Sequence, residues 1–199
     1  VSRPTNDRPL PGARRLTAAG LTAAALTTVL AVPATASTTS RVSSASAAAL
    51  VCDAATPPGR PVTFTPAVGL LPHRTTVTGI ADLTNCSSPN GSRRAVHHGR
   101  LTARGTAFAS CTAARVESGH GTIAWYDAKG RRLGTTTLRP VGSQVVSSNP
   151  GDAMLTGVAT SGLLSGSRVQ GAATPTSDTG SCAITGMRAV HGKGKVTFS

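Results

Sequence analysis

Beyond residue 50 the chain alternates apolar and polar residues with a period of two. Pro61-Val62-Thr63-Phe64-Thr65 and residues 75–83 both follow this pattern between Pro, Gly and Asn punctuation, as half-buried strands do. Residues 101–111 continue it, with Leu101, Ala103, Gly105, Ala107, Ala109 and Cys111 on one side. A hairpin is the sharpest local signal. Gly121-Thr122-Ile123-Ala124-Trp125-Tyr126 runs into Asp127-Ala128-Lys129-Gly130, a type I turn with Gly at the left-handed position, and residues 131–138 return. Ile123 and Trp125 then share a face, and that face is assigned to the core because burying an indole removes a large apolar area. Residues 154–159, 168–173 and 196–199 add further short strands between Gly-Ser and Asn-Pro-Gly turns. No helical period with caps follows the first 36 residues. The pattern predicts an all-β fold, a two-sheet antiparallel sandwich of immunoglobulin-like or jelly-roll-like form, with a β-barrel as runner-up.

The first 36 residues read differently. Arg3, Arg8, Arg14 and Arg15 precede an apolar run over 16–32, and Ala34-Thr35-Ala36 offers a small-residue cleavage site, which together predict a secretory signal peptide. The run contains Gly20 and several Thr and ends at Pro33, which argues against a stable membrane span after cleavage. Val1 is expected to be a GTG start. Residues 37–49, rich in Ser, Thr and Ala, read as a flexible spacer, leaving 50–199 as a single disulfide-bonded domain.

Charge changes the picture. The 199 residues carry 20 Lys or Arg against 7 Asp or Glu, a formal net charge of +13, and without residues 1–36 the balance is still +10. Two groups stand out, Arg93, Arg94, His97, His98 and Arg100 in a predicted turn, and Lys129, Arg131 and Arg132 at the hairpin tip. Such groups attract anionic polymers by screened electrostatics. Nucleic-acid modules interleave aromatics on which bases stack, and these groups are read as having none nearby, so no specific nucleic acid is expected.

Four cysteines, Cys52, Cys86, Cys111 and Cys182, follow the export segment. An even count in an exported chain predicts two disulfides, and the absence of any C-x-x-C pair argues against structural zinc. If the strands meander, Cys86 and Cys111 end successive strands at opposite ends of the domain, which favours Cys52 with Cys86 and Cys111 with Cys182.

Catalytic motifs are sparse. No G-x-S-x-G elbow and no phosphate-cradling loop occur, and Gly192-Lys193-Gly194-Lys195 reads as a flexible, charged lead into the last strand. Glycosidase chemistry needs two carboxyl groups across a cleft; Asp127 is explained by its turn, and Glu117, Asp152 and Asp178 fall in predicted loops. His120, Asp127 and the His97-His98 pair are the best candidates for a hydrolase site built from separated loops. No catalytic residue, metal or cofactor is assigned.

The Ala-rich leader, the Ser110-Cys111 pair and the Gly121-Thr122-Ile123-Ala124-Trp125 strand resemble those of small exported actinobacterial β-rich proteins, most without an assigned function. That resemblance implies no active site to carry over. Neocarzinostatin-like chromophore-binding sandwiches also carry two disulfides, but theirs close short loops, unlike the gaps here. The expectation is a secreted, basic, non-catalytic binding or structural module at the cell wall or in the extracellular space, partnered by an anionic cell-wall polymer or another secreted protein. An extracellular hydrolase and a protease inhibitor are the alternatives.

Overall fold

The computed structural model describes residues 47–141, 144–145 and 153–199. The export segment, spacer residues 37–46 and Asp152 lie outside the described residues. The strands are β1 (Leu50–Ala55), β2 (Val62–Val68), β3 (His73–Ser87), β4 (His98–Ala109), β5 (Ala114–Tyr126), β6 (Arg132–Pro140), β7 (Gln144–Val145), β8 (Ala153–Gly162), β9 (Arg168–Pro175), β10 (Met187–Val190) and β11 (Gly192–Phe198). One helical turn, α1 (Cys182–Thr185), precedes β10.

All pairings are antiparallel, in the order β1-β11-β9-β8-β6-β5-β4-β3-β2-β10, and β1 also pairs with β3. That last pairing closes the sheet. Eight strands, β1, β11, β9, β8, β6, β5, β4 and β3, form a closed barrel rather than two facing sheets. The expected sandwich is therefore corrected to the barrel. The physical reason lies in the long strand β3, whose first half pairs with β2 and whose second half pairs with β1.

The barrel interior holds Leu50, Cys52, Leu83, Ile123, Trp125, Ala159, Val169 and Phe198, all buried. Trp125 packs edge-on against Phe198 with ring centroids 5.6 Å apart, and each such large apolar side chain contributes roughly 1.5–3 kcal/mol by leaving water. An eight-stranded barrel is just wide enough for side chains to fill, so large residues need small neighbours. Gly99 supplies one: a Cβ there would lie 2.6 Å from Trp125 Cε3. The indole N–H donates to Thr136 Oγ1 at 2.8 Å, and Thr136 is itself fully buried.

A second, smaller cluster of Val68, Ala109 and Cys182 with Phe64, Cys111, Ala114 and Met187 lies where β4 and β5 extend past the barrel. One disulfide joins Cys52 with Cys86, across the β1–β3 closure; the other joins Cys111 with Cys182 and ties α1 to the β4–β5 turn. These are the pairs expected above, and two disulfides fit an oxidising compartment outside the cytoplasm. Among the described residues no helix is long and apolar enough to cross a membrane.

Several local readings change. Residues 192–195, read as a flexible lead, are the first half of β11 and pair with both β1 and β9. Gly194 is required there because a Cβ would run into the Ala172 carbonyl of β9. Glu117 lies in β5, not in a loop. The last spacer residues are tied down: Ala49 N donates to Phe198 O and Ala48 O accepts from Asn90 N.

Candidate functional site

In an antiparallel meander every second connection returns to the same end of the sheet. The loop between β3 and β4 (residues 88–97), the β5–β6 turn (127–131) and the β8–β9 loop (163–167) therefore share one end of the barrel with the start of β1 and the finish of β11. Direct bonds join these segments. His97 N donates to Tyr126 O at 3.0 Å, Leu163 N to Thr135 O at 2.8 Å, and Arg168 and Ser199 exchange backbone bonds. Cross-strand register sets His98 opposite Tyr126 and Tyr126 opposite Arg132.

The two basic groups picked out in the sequence thus share this end. Arg93 and Arg94 come from the first loop, His97, His98 and Arg100 from the start of β4, and Lys129, Arg131 and Arg132 from the hairpin. The structure adds Arg168, which opens β9 at the same end and which a search for clusters along the chain misses. The signal that could have found it is the parity of the hairpins.

The loops are held in place rather than loose. Val96 and Leu164 fold inward from their loops into the core, 3% and 1% exposed. Ser88 Oγ donates to Ala49 O and accepts from Arg93 N, while Asn90 Oδ1 accepts from Ser92 N. Asp127 organises the hairpin: its Oδ1 accepts from the N–H groups of Lys129 and Arg131, and its Oδ2 from Arg131 Nε at 2.7 Å. The Arg131 N–H is the largest influence holding the Asp127 carboxyl below the usual range, with the other two bonds adding to it.

The charges are unevenly compensated. Arg131 is paired with Asp127 and Arg100 with Asp82, the latter at 2.8 Å. Among the described residues Arg93, Arg94, Lys129, Arg132 and Arg168 have no ion-pair partner here, and elsewhere Arg60, Arg104, Arg115, Arg139, Arg188 and Lys193 have none either; what distinguishes this end is that cations from three connections share it. The remaining carboxylate pairs are Asp53 with Lys195 between β1 and β11, where Asp53 lies opposite Thr84 of β3, and Glu117 with Arg74 between β5 and β3 toward the other end. Each lowers the carboxyl pKa, chiefly through the hydrogen bond from its cation.

Beside this end, on the outer face of β3 and β4, an open concavity of about 420 Å³ is lined by Asp82, Leu83, Thr84, His98, Gly99, Arg100 and Tyr126. His98, expected in an exposed turn, is the first residue of β4 and stacks on Tyr126 with centroids 5.2 Å apart and planes 10° from parallel. An aromatic ring therefore sits between the two basic groups in space.

Of the hydrolase candidates, the β4–β5 register brings His97 and His98 beside the residue that precedes Asp127, but not His120. His120 is exposed on β5 opposite Arg104, seven residues before Asp127, about 23 Å along an extended strand. The Asp127 carboxylate is occupied by its own turn. Among the described residues no group of three His, Cys, Asp or Glu is placed to hold a metal ion. Comparison with protein-family models, with curated proteins and with solved structures finds no match.

Proposed function

We propose that this protein is a non-catalytic binding module, exported to the cell wall or the extracellular space, that holds an anionic polymer against the basic end of its barrel. One observation carries this reading. Arg93, Arg94, Lys129 and Arg132 reach the same end from two connections and keep their charges uncompensated there, while the carboxylates of the barrel wall are engaged with other cations. Fields of like charges add only within about a Debye length, ~8–10 Å at physiological salt. Cations 30 or more residues apart in sequence act as one site only because the meander stacks their loops.

Retention on immobilised heparin and on poly(glycerol phosphate), measured along a salt gradient, tests the proposal. The native protein is expected to elute well above physiological salt, and Arg93→Ser/Arg94→Ser/Lys129→Ser/Arg132→Ser close to it. A control that removes four charges away from that end, Arg60→Ser/Arg104→Ser/Arg188→Ser/Lys193→Ser, is expected to shift elution much less. Equal loss in both variants would reduce the effect to net charge, and retention that ignores salt would refute the electrostatic mechanism.

A further inference from the structure

We infer that the concavity lined by Asp82, His98, Arg100 and Tyr126 is a glycan subsite, so that the polymer held at the basic end is an anionic polysaccharide or glycosyl phosphate rather than a bare polyanion. This rests on the binding reading above and adds to it the chemical class of the ligand.

A sugar ring presents an apolar C–H face and a rim of hydroxyl groups, each able to donate and accept. A site that recognises it offers a flat aromatic surface beside a donor and an acceptor held in fixed positions. The concavity has both. The His98 imidazole and the Tyr126 phenol are stacked within 10° of parallel, so each fixes the orientation of the other. Asp82 and Arg100, paired across β3 and β4, are joined by the Arg100 Nε bond to Asp82 Oδ1 at 2.8 Å. That single bond leaves Asp82 Oδ2 as an acceptor and the terminal guanidinium N–H groups as donors, side by side, with no other protein partner among the described residues. Neighbouring hydroxyl groups on a sugar ring match such a pair. Thr84 adds an exposed hydroxyl at the rim.

The location supports the assignment. The concavity ends where the uncompensated cations begin: His98 is four residues from Arg94, and Tyr126 lies opposite Arg132 across the β5–β6 pair. One sugar unit seated over β3 and β4 would present its anionic substituent, or that of the next unit, to Arg93, Arg94 and Arg132. The Asp82 carboxylate at the centre is a poor neighbour for a phosphate chain lacking hydroxyl groups, and a good one for a sugar.

Two polyanions separate the subsite from the basic end. Heparin oligosaccharides carry sugar rings; linear polyphosphate of matched charge carries none. Titrations of the full-length secreted protein by calorimetry at fixed salt would compare the native chain with Asp82→Asn, His98→Ala and Tyr126→Phe. His98→Ala is expected to weaken the oligosaccharide about tenfold and to change polyphosphate affinity by less than threefold; Asp82→Asn is expected to weaken the oligosaccharide while leaving polyphosphate equal or tighter, because a carboxylate is lost; Tyr126→Phe, which keeps the ring, should have a small effect on both. Unchanged emission from Trp125, which is buried beside Gly99, would confirm that each variant keeps its fold. Equal effects on both ligands, or none on the oligosaccharide, would overturn the glycan assignment while leaving the basic end intact. Binding of neither ligand by the native chain would instead remove the underlying reading. Tighter binding of an oligo-dT of matched charge, lost in the Tyr126→Ala variant, would reassign the platform to nucleic-acid bases and overturn the proposal.

Discussion

Thr136→Val tests the barrel core with one atom's change. Thr136 is fully buried on β6, and its Oγ1 accepts from Trp125 Nε1 at 2.8 Å and from Leu164 N at 3.3 Å. Valine keeps the shape and removes the acceptor, leaving two buried donors without a partner. An orphaned buried donor costs about 1–3 kcal/mol. The indole bond is short and should fall in the middle of that range, and the longer Leu164 contact at its lower end. The sum is about 2–4 kcal/mol, a large share of the ~5–15 kcal/mol by which domains are stable, or roughly 5–15 °C in Tm for a domain of this size. Thr136→Ser keeps Oγ1 and loses a methyl group, a cost of about 1 kcal/mol. Trp125 is the sole tryptophan of the chain, so guanidinium unfolding of the oxidised protein, followed by its emission, reads the perturbed contact directly. A Val variant within ~0.5 kcal/mol of the native protein, or a Ser variant worse than Val, would show that Thr136 contributes by shape and not by accepting hydrogen bonds.

Three further outcomes follow from the same core and its staples. Gly99→Ala places a methyl 2.6 Å from Trp125 Cε3 and 3.1 Å from Ile123 Cγ2; overpacking of this kind costs about 1–3 kcal/mol, and urea unfolding should show it with a shifted Trp125 emission. Replacing Cys111 and Cys182 together by Ala releases a constraint spanning 71 residues, about 4 kcal/mol in the chain-entropy account. Because that bridge lies in the smaller cluster, folded-state Trp125 emission should not move, and a large shift would mean the two clusters are one core. Asp53, Glu117 and Asp127 all have carboxyl pKa values lowered in the folded state. The stability they supply is complete above the ordinary carboxylate range and is lost as pH falls through the lowered values. Tm should be level from about pH 7 to 5 and drop below about pH 4, less steeply in Asp127→Asn; a Tm that rises on acidification would contradict the ion-pair assignments.

The strands were legible wherever one face is apolar and the other polar. Residues 101–109 and the hairpin around Asp127 show this plainly, and Ile123 and Trp125 lie on the buried face. The closure was not legible, because it depends on segments whose local chemistry argues the other way. Leu50–Ala55 has no clear alternation, and its partner opens with Gly192-Lys193-Gly194-Lys195, residues that favour flexible, solvated chain. Tertiary pairing overrides that preference: β11 is enclosed between β1 and β9, and Gly194 is there because the β9 backbone comes too close for a side chain. The N-terminal half of β5 was missed for a related reason. Glu117 reads as a loop residue, yet on the strand it points outward and meets Arg74 past β4. At the candidate site, the charged residues were visible as two clusters, but their union, Arg168 and the stacking of His98 on Tyr126 are products of register.

The same register decides which cations meet a carboxylate. On the barrel wall, register sets Lys195 opposite Asp53 and Arg100 opposite Asp82, and Arg74 reaches Glu117 past β4, while Arg104, Arg115, Arg139 and Lys193 have no ion-pair partner among the described residues. Connections have no facing strand to supply such partners. In the hairpin, Asp127 turns its carboxylate inward to build the turn and engages Arg131 alone, so Lys129 and Arg132 stay uncompensated. In the 88–97 loop the described residues include no acidic side chain, and Arg93 and Arg94 stay uncompensated too. Uncompensated cations on a mobile loop would lose conformational entropy on capturing a polymer. Here Val96 and Leu164 anchor their loops in the apolar core and Ser88 ties the first loop to Ala49, so much of that ordering is already complete in the free protein. Anchored loops and unpaired charge at one end are together what a binding surface requires, and neither feature is needed to close the barrel.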